Sequence, residues 1–299
     1  MQRLSILVFH RVHAQPDPLF PGEVDIDTFD RMLGWLGSCF NVLPLEEGIR
    51  RMDEGSLPPA AAALTFDDGY ADNLTNAAPI LRAHGMHATL FVATGFLDGG
   101  CMWNDAVIEA LRRTPHPELR MAELDMPTLP VATVDEKRRA LGTLIPAIKH
   151  LPFDERQRAV DAIVKAADVL LPDDLMMSSD QLRQWHAQGL GVGAHTRNHP
   201  ILARLDSASA EEEIVVGRDA LEAIISERVT LFAYPNGRPG DDYLPEHVRM
   251  VEAQGFDAAV STSWGVASGA SNRFELPRFT PWDRTEYKFL GRMLQNLMR

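Results

Sequence analysis

The sequence predicts an α/β fold of parallel βα units, interrupted once by a block of helices. Three observations predict it. Short apolar runs alternate with helix-patterned stretches at the spacing of βα units. Between Trp103 and about Trp185 helical patterns take over, and the strand pattern resumes at Leu190. The polar residues suited to chemistry sit just past the carboxyl ends of the predicted strands, the face on which βα barrels build active sites.

Residues 5–9 form a buried-strand pattern ending at His10-Arg-Val-His13, and Pro16, Pro18, Pro21 and Gly22 make the next segment a loop. Asp27 is placed to cap a helix whose Phe29, Leu33 and Leu36 share one face. A shorter helix over Leu45–Glu54 stops at Gly55. The apolar run 60–64 leads into Thr65-Phe-Asp-Asp-Gly-Tyr70, after which Leu74, Ala78 and Leu81 recur at helical spacing up to His84. Residues 88–93 are a further strand, followed by a loop with Gly95, Gly99 and Gly100.

The insertion, about 103–188, is broken at Pro115, Pro117, Pro127, Pro130, Pro146, Pro152 and Pro172 and shows no convincing strand. It either covers a site or is a packing appendage. Beyond it come a strand at 190–194, a long acidic amphipathic helix over Ser207–Ile225 and a strand at 229–233. A helix at 244–254, a strand at 256–260 and a closing helix at 284–298 complete the chain.

A length of 299 residues suits one large barrel or two ordinary domains. Hydrophobic residues at 45% and charged residues at 24% are ordinary for a soluble globular protein. A net charge of -13 with no Lys/Arg-rich run argues against a nucleic-acid partner. No apolar stretch approaches the ~20 residues of a membrane span, and the first ten residues lack the apolar length of a signal segment, so a cytoplasmic location is expected. Cys39 and Cys101 are too few for a disulfide framework and lack thiolate zinc spacing, so both are expected to be small packed residues. Nothing in the sequence sets an oligomeric state.

Asp67 and Asp68 are adjacent, so both serve one pocket only where the backbone leaves the sheet, a freedom that Gly69 supplies. Two carboxylates so close repel unless a cation or hydrogen-bond donors satisfy them. A metal site is the economical explanation, although a capping Asp pair accounts for this segment alone. His195 and His199 are four apart, which on a helical turn puts both imidazoles on one side. With one carboxylate they make a recurrent ligand set for a divalent ion that keeps positions open for water and substrate. Standing alone, the pair reads as a polar loop.

The strand at 229–233 breaks at Tyr234-Pro-Asn-Gly237, which either aims backbone N–H groups at a pocket or is simply a turn. His84, His87, His116, His150, His186 and His247 have no partner at ligand spacing and are assigned no role. Trp264 and Trp282 are either sugar-stacking surfaces or core.

On these residues the chain resembles the polysaccharide deacetylase family, the NodB-homology fold of carbohydrate esterase family 4. The resemblance implies a distorted, seven-stranded (β/α) barrel, a single domain over residues 1–299 with the helical insertion at about 103–188. Thr65-Phe-Asp-Asp-Gly69 resembles the first motif, implying that Asp67 is the general base and Asp68 a metal ligand. His195-Thr-Arg-Asn-His199 resembles the second, implying ligation by His195 and His199. Phe232-Ala-Tyr-Pro-Asn-Gly237 resembles the third, implying that Tyr234, Pro235 and Asn236 line the acetyl pocket. Trp282, apart from the motif, is the candidate sugar-stacking substrate contact.

Ala233 stands where the family often has an Arg that orients the base, and Arg278, in Leu276-Pro-Arg-Phe279, is the candidate substitute. No late Leu-x-His motif follows Trp282. Val8-Phe-His-Arg-Val12 instead resembles the early segment of a permuted branch that includes exopolysaccharide de-N-acetylases, implying His10 as the general acid in preference to His13. The implied activity is metal-dependent removal of an N-acetyl group from an N-acetylated sugar, polysaccharide or glycan precursor. The cofactor is one divalent ion, zinc first, with cobalt or nickel suiting the same donors. Two alternatives stay open: a same-fold C–N hydrolase of a small cyclic amide or ureide, and a catalytically silent carbohydrate-binding module.

Overall fold

The computed structural model describes residues 2–121 and 126–298; residues 122–125 of the predicted insertion, and residues 1 and 299, lie outside the described residues. The chain divides into two compact units, one formed by Met1–Gln15, Gly22–Leu97 and Met177–Arg299, the other by Pro16–Pro21 and Asp98–Met176.

The first unit begins with β1 (Arg3–Phe9), α1 (Ile26–Cys39), β2 (Asn41–Val42), α2 (Leu45–Glu54) and β3 (Ala61–Phe66). A π-helical turn over Asn73–Ala77 runs into α3 (Ala78–Ala83), and β4 (Ala88–Val92) follows. The second unit contains α4 (Trp103–Arg113), the antiparallel pair β5 (Glu118–Leu119) and β6 (Leu129–Pro130), α5 (Val134–Lys149) and α6 (Phe153–Ala167). The first unit resumes with α7 (Ser179–Ala187), β7 (Gly191–Ala194), α8 (Ser207–Ile225) and β8 (Leu231–Ala233). It ends with α9 (Pro245–Ala253), β9 (Ala258–Val260), β10 (Ala267–Ser268) and α10 (Glu286–Leu297).

Several expectations need correction. The α1 cap is Asp25, whose carboxylate accepts from the Thr28 N–H at 2.7 Å; Asp27 lies inside the first turn, where its charge still complements the helix dipole. Pro146 does not break a helix but sits within α5, whose buried face of Leu141, Leu144 and Ile148 offsets one missing donor. The insertion carries the short antiparallel pair β5 and β6, two residues per strand, too short to leave a periodic signal. Its compact unit ends at Met176, because α7 packs Leu182 and Trp185 into the sheet's own core and Trp185 Nε1 donates to the Gly191 carbonyl at 2.8 Å. Cys39 is exposed, not packed.

The main sheet runs in the order β10-β1-β3-β4-β7-β8-β9, with β2 added on β3. Every pairing is parallel except β10 on β1. The segment Leu276–Phe279 lies between the two ends of this path: Leu276 N–H donates to Ala259 O at 2.9 Å and the Leu276 carbonyl accepts from Ser261 N–H, while Phe279 N–H donates to Ile6 O at 3.0 Å and its carbonyl accepts from Val8 N–H. Counted with β1, β3, β4, β7, β8 and β9, this segment is the seventh stave of a distorted barrel.

The two sides of the strands follow the period of two. Leu7, Phe9, Leu64, Phe66, Leu90, Val92 and Phe232 join the helices in one core. Leu4, Ile6, Ala61, Ala63, Phe91, Leu231, Ala233, Ala258, Val260 and Leu276 form a second core inside the barrel, with Leu45, Ile49 and Met52 of α2 packed on it. Phe91 fills this interior so fully that a Cβ on Gly193 would lie 2.4 Å from its ring, which is why β7 carries glycine there. Among the described residues no helix is long and apolar enough to cross a membrane.

Candidate active site

The interior phase, continued past the strand ends, delivers the polar residues. Ala61, Ala63 and Thr65 lead to Asp67, Gly193 leads to His195, Leu276 leads to Arg278, and Leu4 and Ile6 lead on to His10. Asp67, Asp68, His195 and Arg278 are all buried. Asp68 escapes the alternation because its φ is +79°, followed by Gly69 at +95°, so the chain turns back and presents both carboxyls to one place.

Arg278 is fully buried and grips Asp67 with two parallel bonds, Nη1 to Oδ1 and Nη2 to Oδ2, each 2.7 Å. Its Nη1 also reaches Thr65 Oγ1 at 3.1 Å, its Nε donates to Ser261 O at 3.1 Å, and its guanidinium lies 5.6 Å from the centre of the Phe91 ring. Burial by itself would raise the Asp67 pKa. The Arg278 charge and hydrogen bonds, helped by His195 and His10, outweigh it and bring the carboxyl down from 3.8 to about 2. Asp67 is therefore an anion throughout the neutral range. Ala233 is a small, fully buried residue of the barrel interior.

Asp68, His195 and His199 converge, with one donor atom of each within 4.8 Å of the others. Asp68 Oδ1 lies 3.6 Å from His195 Nε2 and 3.4 Å from His199 Nε2, and it is buried without a hydrogen-bond partner. Two donors each ~2.1 Å from a tetrahedral centre are ~3.4 Å apart, so these separations fit a shared cation better than direct contact. His195 Nδ1 donates to Ala233 O at 2.7 Å, which leaves the Nε2 lone pair facing Asp68. His199 is held neutral, its pKa lowered to about 4 chiefly by burial; Asp68 and Asp67 oppose that shift, while His195 and His10 add to it. The residues fit a divalent ion.

The loop carrying the two imidazoles is not the helical turn that their spacing suggested. Thr196 and His199 have φ of +64° and +50°, a left-handed conformation costly for non-glycine residues. Its neighbours enforce it. Glu213 of α8 accepts from Asn198 N–H at 2.7 Å, Arg197 N–H at 3.1 Å and Asn198 Nδ2 at 2.7 Å. A Cβ on Gly217 would lie 2.6 Å from the Thr196 carbonyl carbon, so α8 touches the loop backbone directly. Sequence spacing missed Glu213 because it is the last of three consecutive glutamates on an acidic helix.

His10 has an exposed side chain within electrostatic range of Asp67 and His199. His13 is engaged by Glu23. Tyr234 is placed differently from the acetyl-pocket lining implied for it: its phenol donates to Phe274 O at 3.0 Å and its ring stacks on Tyr243 at 3.8 Å, so the side chain belongs to the core. Its N–H donates to Val260 O and Pro235 has none, which leaves the Asn236 N–H as the backbone donor of this turn. Asn236 has φ of +58°, and its carbonyl accepts from Thr262 Oγ1 at 2.8 Å. Trp282 is not core; it is 54% exposed and carries the Arg292 guanidinium 5.0 Å from its ring centre.

The fold and the site define a (β/α) barrel with a carboxylate and histidine cluster at the carboxyl ends of its strands. The family model for polysaccharide deacetylase matches residues 54–122 and 153–258, and the chain belongs to that family. The putative polysaccharide deacetylase YxkH of Bacillus subtilis is 20% identical over 278 residues, covering 92% of this chain and 70% of that protein. The Streptococcus pyogenes deacetylase PplD, solved with acetate, superposes with a TM-score of 0.66 at 20% identity, over 97% of this chain and 98% of its own. IcaB from Ammonifex degensii gives 0.62 at 17% identity, over 98% and 97%. At such identities these structures share the barrel.

Proposed function

We propose that this chain is a metal-dependent N-deacetylase that releases acetate from an N-acetylated sugar in a polysaccharide or glycan precursor. The observation that carries the reading is the unsatisfied Asp68 Oδ1 flanked by two imidazoles, beside the Asp67–Arg278 pair. Asp68, His195 and His199 would hold the ion, for which zinc is the first choice and cobalt or nickel suit the same donors. When bound, it supplies a Lewis acid for the amide carbonyl and brings the pKa of a water toward about 7.

The chain's own residues account for the remaining steps. Asp67, anionic and fixed in orientation by Arg278, takes a proton from the attacking water. The Asn236 N–H faces the developing oxyanion, a contact typically worth ~3 kcal/mol. His10, exposed at the rim, gives a proton to the departing amine, without which an amide nitrogen leaves poorly. Trp282 is a sugar-stacking surface.

The test is acetate release from N-acetylglucosamine oligomers before and after chelation. Release that stops on chelation and returns with zinc is the expected result. Release unaffected by exhaustive metal removal overturns the reading, as does turnover of ureides with none of the N-acetyl sugars. The loop geometry adds a second expectation. Glu213→Ala should weaken zinc binding by about 10–100-fold, measured by competition with a chromophoric chelator, because partners that orient ligands typically contribute that much. Glu211→Ala, on the same helix and paired with Gln254, should leave the affinity unchanged.

A further inference from the structure

The segment His10-Arg11-Val12, just past the end of β1, has no regular secondary structure, yet its polar groups are bound by one short stretch of chain that follows the Asp67–Asp68 turn. Asn73 Nδ2 donates to the His10 carbonyl at 2.8 Å and Asn76 Nδ2 to the Val12 carbonyl at 2.8 Å. Asp72 accepts from the Val12 N–H at 3.2 Å and from Arg11 Nε at 2.8 Å. Asn73 is fully buried, and it opens the π-helical turn over Asn73–Ala77. Such turns are rare, cost hydrogen-bond geometry and recur at functional sites. A bond from Asp67 N–H to Phe9 O at 3.0 Å ties the two segments together from the sheet side.

We infer that Asp72, Asn73 and Asn76 are positioning residues that hold the His10 segment in register with Asp67, so that one element sets both the proton acceptor and the proton donor. Four hydrogen bonds from three side chains on a three-residue segment exceed what a surface connection needs. It is the His10 carbonyl that is anchored, and its side chain, exposed among the described residues, is available to meet a leaving group. The inference rests on His10 acting as the acid.

Leaving-group demand separates this role from simple support of the fold. An amide needs a proton on its departing nitrogen, whereas the nitrophenolate of 4-nitrophenyl acetate departs without one. In the zinc-loaded full chain, His10→Ala should lower kcat/KM for N-acetylglucosamine oligomers by about 100-fold or more and change ester cleavage little. Asp72→Asn and Asn76→Ala, chosen because Asn73 is too deeply buried to change safely, should repeat that split, with amide turnover falling by about tenfold or more through misplacement of the acid. Equal losses on both substrates, or no loss, in those two variants while His10→Ala discriminates would overturn the positioning role alone. A His10→Ala variant that does not discriminate would overturn the acid assignment, and this inference with it.

Discussion

Asp67→Asn is expected to lower kcat/KM for deacetylation by about 10²–10⁴-fold, the usual contribution of a positioned general base. The substitution keeps the shape and one acceptor oxygen for Arg278 but removes the anion proposed to take the proton from water. Zinc affinity should hold within a few-fold, since Asp67 is outside the trio Asp68, His195 and His199. Measuring affinity and turnover on one preparation separates a lost base from a lost ion. A variant that loses both in proportion would show that Asp67 acts by organising the metal site.

Much of the barrel was legible because buried parallel strands are short apolar runs and their carboxyl ends are marked by polar turns. The strand before Asp67 and Asp68 is buried along its whole length, and the turn after it carries the positive φ that Gly69 announced. The interior phase was not legible. Ala61, Ala63, Gly193 and Ala233 are small residues that carry little periodic signal, and their meaning depends on Phe91 filling the space across the barrel.

The stave that closes the barrel was invisible as a strand. Leu276–Phe279 holds four residues with a proline among them, and it makes only isolated bridges to its neighbours. Arg278 drew notice through the missing motif arginine, not through any strand pattern, and it lies beyond residue 258, where the family match ends. His10 lies before residue 54, outside the same match. The His195 to His199 spacing suggested a helix, whereas contacts from Glu213 and Gly217 of α8, outside the local window, impose left-handed residues there. Local propensity cannot report such tertiary enforcement.

Arg278→Met tests the other half of the buried ion pair. Removing one partner of a buried ion pair leaves the second charge uncompensated, and the expected cost is about 3–5 kcal/mol of stability at neutral pH. In the native protein the Asp67 carboxyl falls from 3.8 to about 2, so its contribution, about 2 kcal/mol by linkage, is present above roughly pH 4 and lost as pH falls through about 2. Without Arg278, burial is opposed far less and the carboxyl pKa should rise, which reverses the sign: acidification then relieves the buried charge. Adding Asp67→Asn to Arg278→Met removes that charge at every pH. The double variant should therefore regain stability at pH 7 but not activity, and its advantage over Arg278→Met should shrink as the pH is lowered. Denaturant unfolding of the three proteins at neutral and acidic pH reads this directly. An advantage independent of pH would mean that Arg278 supports the barrel by packing on Phe91 and not by compensating Asp67.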